Sequence, residues 1–392
     1  MTYQQLLRRN INLMRVKIFF TSLLFFLPIW YAFEGLFAPA ATLAVIYAVT
    51  HLISVFLELP TGALADLLGR KYIVFLGLLI GGGSYIFISQ SQSVSWLWIG
   101  AVFAQIGSTF VSGADTALFY DTLKELKKES QFSLLANQNE LVYRIGLTIA
   151  AFTGGYIFLY YYRLPYALVG IAMIMAGIVT LFMVEPHIDS EKFTITNYIQ
   201  QTKLGFGELF KTPYIRDFSL YYISISGITW YYLYFLLNVF TTDVGFNAIE
   251  RGWIAAVNSI IVAIVGIVIA KYKLFSRATA YLFFPICLLL GFLFAPILPK
   301  IATTISIFLI YIASIYRWTI LDQYTNMEFE SKYRATAISA LGMATSLIYF
   351  LLTFSLNPIL SIFGSGWVMF SLGVLTLLTT VPTTIVLLKK HR

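Results

Sequence analysis

Long apolar runs of similar length alternate with short polar stretches along the 392-residue chain. A bilayer core about 30 Å thick takes about 20 apolar residues in a helix. By that ruler the pattern predicts twelve membrane-spanning helices. They fall at residues 14–34, 40–60, 72–91, 94–119, 139–161, 164–185, 214–238, 250–270, 278–297, 301–325, 335–357 and 366–388. The runs lack the alternation of a transmembrane β-barrel. One polar interruption is long, from Pro186 to Pro213. It divides the chain into an N-terminal six-helix bundle (1–186), a cytoplasmic linker (187–213) and a C-terminal six-helix bundle (214–392). Two six-helix halves are the organisation of one large class of transporters, built from parallel repeats around a central path.

Composition points the same way. Hydrophobic residues make up 59% of the chain and charged residues only 11%, against about 25% charged in an average soluble domain. A globular fold cannot hide that much apolar surface from water. The single cysteine, Cys287, rules out a disulfide framework and Cys-ligated metal sites. The three histidines, His51, His187 and His391, are scattered and suggest no metal cluster. The formal charge of +8 is carried at segment ends, which is the membrane-orientation pattern and not a nucleic-acid surface. With the N-terminus placed in the cytoplasm, 21 Lys and Arg fall on inside loops, Lys17 among them, and three (Arg163, Arg251, Lys300) outside. That bias predicts an even number of spans with both termini cytoplasmic. The first apolar run is too long for a secretory signal peptide, and no small-residue cleavage site follows it.

The stretch "GALADLLGRK", Gly62 to Lys71, interrupts this oily pattern between the second and third spans. Pro60 removes a backbone donor and is expected to end the second helix. Gly62 and Gly69 permit positive φ or close backbone approach. Asp66 suits a helix N-terminus or a cationic neighbour. Arg70 offers a planar fork to a carboxylate, and Asp121, in "ALFYDTL", is its expected partner.

This G-x-L-A-D-x-x-G-R-K pattern resembles the signature loop of the major facilitator superfamily (MFS), and it lies in the matching position of the first half. "SGADTALFYDTLKE" (Ser112 to Glu125) and "KYRATAISALGM" (Lys332 to Met343) resemble fourth- and eleventh-helix stretches of bacterial, exporter-like members. The resemblance spans essentially the whole chain. It implies that Gly62, Asp66, Gly69, Arg70 and Asp121 form a conformational latch holding the two halves in the outward-facing state. The chain also departs from the pattern. "AVFAQIGSTF" (Ala101 to Phe110) carries no arginine where proton-coupled exporters often have one. "IAAFTGG" (Ile149 to Gly155) lacks their fifth-helix proline, and the second-half loop near "IAKYKLFSR" is degenerate.

An ionisable side chain at a helix centre in lipid costs at least about 2.5–3.5 kcal/mol, so it tends to face a cavity and a partner. Asp115, six residues before Asp121, lies about 9 Å deeper along the same helix. Arg144 follows Glu140 by one turn. Arg317 and Asp322 share the tenth span but point about 140° apart. Asp115, Arg144, Arg317 and Asp322 are therefore candidates for ion coupling or the cavity. A static charge network near the cytoplasmic gate is the competing role for Arg144 and Asp121. In "YYISISGITWYYLYFLLN", Tyr221 to Asn238, the residues Trp230, Tyr231, Tyr234 and Asn238 are candidates to line a cavity for flat or cationic ligands. Lipid-facing belt aromatics are the alternative. Gly81, Gly82 and Gly83 suggest close helix packing.

The sequence is thus read as an all-α integral membrane protein and a secondary transporter, not an enzyme: no nucleophile–base cluster, no ATP-binding loop, no cofactor and no metal site are expected. Its partners would be a small-molecule substrate, protons and the lipid bilayer, without nucleic acid, and the chain would act as a monomer. It would sit in the cytoplasmic membrane of a bacterium and export an amphipathic or hydrophobic compound by proton-coupled alternating access. The alternatives are uptake of a polar metabolite, such as a sugar or organic anion, and a non-transporting receptor on a transporter scaffold.

Overall fold

A computed structural model describes residues 2–187, 203–272, 276–329 and 334–390. Regular structure among the described residues is helical. The principal helices are α1 (Tyr3–Thr21), α2 (Trp30–Glu34), α3 (Ala40–Leu68), α4 (Arg70–Ser89), α5 (Val94–Glu125), α6 (Phe132–Tyr160) and α7 (Leu164–Leu181). There follow α8 (Pro213–Asp243), α9 (Ala248–Tyr272), α10 (Arg277–Phe292), α11 (Lys300–Glu328), α12 (Arg334–Phe363) and α13 (Ser365–Lys390). Eleven of these, α3 to α13, are long and apolar enough to cross a membrane.

Two features differ from the sequence expectation. The first predicted span, 14–34, is not one helix: α1 stops at Thr21, an irregular run occupies Ser22 to Ile29, and a single turn of helix, α2, follows. Here α6 supplies glycines where the broken backbone approaches. A Cβ on Gly154 would lie 2.3 Å from the Phe25 carbonyl oxygen, and one on Gly146 would meet the side chain of Ser22, where the irregular run begins. The second helix does not end at Pro60 either. It runs on to Leu68, because the loss of one i→i−4 bond in a membrane helix can be absorbed locally.

By its contacts the chain divides into two compact units. The first is Met1–Ala38, Ile53–Ile195 and Ala248–Ser259; the second is Pro39–Leu52, Thr196–Asn247 and Ile260–Arg392. In the first unit, α4 packs against both α5 and α7. Ile73, Val74 and Leu78 of α4 meet Ala114 of α5 and Ala176 of α7 in one buried cluster. A second cluster joins Met14 of α1 to Leu118, Phe119 and Leu123 of α5 and to Met183. In the second unit, α8 packs against α12, and Ile215 joins Leu209, Phe329, Ala337 and Leu341 in the core. Both α8 and α13 widen into a π-turn, at Tyr232–Leu236 and Thr376–Thr380.

Candidate functional site

The interior of the first unit holds a buried ion pair. Asp115 of α5 takes a hydrogen bond on Oδ1 from the ammonium of Lys17 on α1. The lysine side chain is 2% exposed and the carboxylate 25% exposed, so the aspartate is the accessible member. Removing either charge alone would strand the other in a poorly solvated place. The sequence pattern places Lys17 with the basic flank of the first span; the structure buries it. Its signal in the sequence was a charge one turn inside an apolar run, with a carboxylate also in the runs to neutralise it. A cavity of about 250 Å³ adjoins the pair, between α1, α4, α5 and α7. Ala104, Ser108, Val111, Ser112 and Asp115 line it from α5. Their spacing of three and four residues puts them on one face of that helix.

At the end of this unit carrying Gly69, backbone geometry and charge converge. Gly69 sits at φ +93°, a conformation side-chain-bearing residues rarely adopt, and it caps α4. The two amides that follow, of Arg70 and Lys71, donate to the two carboxylate oxygens of Glu185, at 2.7 and 2.8 Å. The glutamate thus satisfies two of the unpaired donors of a helix N-terminus and meets the positive end of its dipole. The Arg70 guanidinium reaches the Asp121 carboxylate and the Ala117 carbonyl of α5. Asn10 binds Val184 through both backbone groups, at 2.8 and 3.0 Å, which ties α1 to the same corner. Beside it the Tyr3 hydroxyl donates to Glu125; burial, reinforced by that carboxylate, pushes the phenol up to about 12. Glu185 was not singled out from the sequence. Its sign there is a carboxylate directly before Pro186, where the sixth span stops. Gly62 and Asp66 fall within α3, but their side chains lie outside the described residues.

The remaining candidates are dispersed. Arg144 pairs with Glu140 one turn away, Nε to Oε1 at 2.8 Å, on a partly exposed face of α6. In the second unit Arg317 of α11 is buried, donates to the Ser226 hydroxyl of α8, and lies 5.9 Å from the centre of the Tyr222 ring. Asp322 belongs to α11; its side chain lies outside the described residues. Trp230 stands edge-on to Tyr234 (5.8 Å) and to His51 (5.6 Å), and His51 is edge-on to Tyr349 (5.3 Å). His51 Nε2 is 3.2 Å from the Ser346 hydroxyl. Tyr231 and Asn238 are buried, while Tyr234 is 52% exposed. The sequence reading takes His51 only as one of three scattered histidines, because it stands alone; its signal is a histidine midway along an apolar span.

Eleven apolar helices and charges paired within the interior define a polytopic α-helical membrane protein. The chain belongs to the Major Facilitator Superfamily, whose sequence profile matches residues 16–353. It is 23% identical over 206 residues to the bicyclomycin resistance protein homolog of Haemophilus influenzae. That match covers 47% of this chain and 50% of the relative, so the chain spans about half the length of the curated relative it matches. Among solved structures, the nucleoside transporter NupG superposes with a TM-score of 0.73 at 13% identity, over 98% of this chain and 99% of NupG. A D-xylose-proton symporter superposes with a TM-score of 0.70 at 14% identity, over 95% of each chain. Those likenesses are of fold.

Proposed function

We propose that this protein is a proton-coupled secondary transporter that exports an amphipathic small molecule across a bacterial cytoplasmic membrane by alternating access. The observation that carries the reading is the buried Lys17–Asp115 pair beside a cavity. The pair joins α1 to α5 through charges set among apolar helices, so a change at either group is transmitted to the packing of α1 against α5. The broken first span, counted with α3 to α13, completes twelve crossings in two bundles, 1–186 and 214–392, with both ends cytoplasmic. Arg70, Asp121, Glu185 and Gly69 form the latch corner of the first bundle, with Gly62 and Asp66 on the approach to it. Trp230 and Tyr234 are the aromatic face offered to cargo, with the buried Tyr231 and Asn238 packed on the same helix behind them. Export is favoured by the exporter-like stretches of the sequence and by the resistance-protein relative.

Uptake of a polar solute is the second reading, favoured by structural neighbours that carry a nucleoside or D-xylose. The test is accumulation of a fluorescent lipophilic cation in efflux-deficient bacterial cells. Wild type should lower accumulation, an uncoupler should abolish the difference, and Asp115→Asn should behave as empty cells do. Unchanged accumulation, with saturable entry of labelled ribonucleoside or pentose, would favour uptake instead.

A further inference from the structure

We infer that the cavity of the first unit is a binding site of its own for a small neutral compound carrying two or more hydroxyl groups, a short polyol. Three observations lead there.

The first is size. About 250 Å³ is room for roughly eight waters at about 30 Å³ each. It falls below the roughly 300–1,000 Å³ of pockets that take drug-sized ligands. A chain of four or five hydroxylated carbons matches that volume.

The second is unused hydrogen-bonding capacity. Ser108 and Ser112 line the cavity one turn apart on α5. Neither hydroxyl bonds to the protein among the described residues, whereas neighbouring Thr109 donates to the Gln105 carbonyl at 2.7 Å, the usual habit of a helical hydroxyl. Asp115, one turn further, engages Lys17 through Oδ1; Oδ2 has no partner among the described residues. Residues 108, 112 and 115 thus form a stripe of two hydroxyls and a carboxylate oxygen along one helix face.

The third is charge. Lys17 neutralises Asp115, and the ammonium is almost wholly covered. To a charged ligand the pair offers attraction to one member and repulsion from the other, so neither sign of charge finds an unopposed attraction, whereas a neutral hydroxyl donor can bond Oδ2 directly. Leu78, Val111 and Met173, with the ring of Tyr85, supply apolar contact for a carbon skeleton.

The experiment uses the full chain in lipid nanodiscs and equilibrium binding of radiolabelled erythritol by scintillation proximity. Gly81 lines the cavity, and a Cβ there would meet only the Met173 sulfur at 3.5 Å, so Gly81→Leu fills the space. A Cβ on Gly83, on the same helix, meets nothing within 4 Å, so Gly83→Leu is the control. Saturable binding is expected in wild type and Gly83→Leu. It should be lost in Gly81→Leu and weakened about three- to ten-fold in Ser112→Ala, the effect of one neutral hydrogen bond. Absence of saturable binding in wild type would mean a cavity filled by water alone. Undiminished binding in both Gly81→Leu and Ser112→Ala would put the site elsewhere. Either result overturns the inference, as would displacement of erythritol by equimolar choline or lactate. The assay has no gradient and no cargo, so its failure and the failure of the export reading are separate results.

Discussion

At the scale of single residues, Lys17 and Asp115 hold the interior of the first unit in a state neither could hold alone. Breaking a buried ion pair on one side costs more than replacing both partners, because the surviving charge keeps its desolvation penalty without its attraction. Lys17→Met should therefore destabilise the protein by about 3 kcal/mol, the lower end for a buried pair, since Asp115 keeps 25% of its side chain accessible. The double variant Lys17→Met with Asp115→Leu should recover most of that loss. Thermal unfolding in detergent reads the stability, and the uncoupler-sensitive export assay reads the coupling. A double variant that unfolds normally yet shows no uncoupler-sensitive flux would separate the two roles. If the double variant still exported in an uncoupler-sensitive way, the pair would be structural and the coupling carboxylate would have to be sought elsewhere.

Among the elements, α4 shows how four glycines on one helix serve different ends. A Cβ on Gly77 would lie 2.7 Å from the carbonyl oxygen of Gly107 on α5, and one on Gly107 2.6 Å from that of Gly77. On another face, Gly82 and Gly170 of α7 face each other in the same way, at 2.7 and 2.5 Å. These crossings bring backbones into contact, which is the use of small residues between membrane helices. Gly81 instead borders the cavity, and Gly83 faces open space. The obstacle at Gly77 is a backbone oxygen, which has no rotamer to retreat into. Gly77→Ala should accordingly destabilise the protein by about 1–3 kcal/mol, the range for overpacking. Gly83→Ala should leave stability unchanged or raise it by up to about 1 kcal/mol, since alanine loses less backbone freedom in a helix. Unfolding temperatures of the two purified variants check the contrast, and equal values would show that the α4–α5 crossing gives way easily.

On the scale of the whole molecule, what the sequence made legible follows the physics each signal reports. Hydropathy measures how apolar a run is, and the eleven later spans, long and uniformly apolar, each became a helix. It does not measure whether the backbone stays continuous. The break from Ser22 to Ile29 lies against glycines of α6 more than a hundred residues away, and nothing local marks it except Pro28. Asp115 stood out as a carboxylate inside an apolar run. Lys17 did not, because a cation near the start of a span looks the same whether it snorkels to the interface or turns inward. Glu185 acts on amides that lie more than a hundred residues earlier in the chain, a relation no local pattern contains. The distribution of Lys and Arg, 20 on one set of loops against three on the other once the buried Lys17 is left out, is different in kind. It needs no tertiary information, because orientation is fixed by which loops resist translocation. It makes a prediction that can be read in intact cells. With the buried Cys287 replaced by alanine, a cysteine is placed at exposed Lys124 or at exposed Lys300. A membrane-impermeant maleimide should label Lys300→Cys in intact cells and Lys124→Cys only after permeabilisation. Labelling of both from outside would break the odd count of five crossings, α6 to α10, between the two sites, and labelling in the reverse order would invert the protein in the membrane.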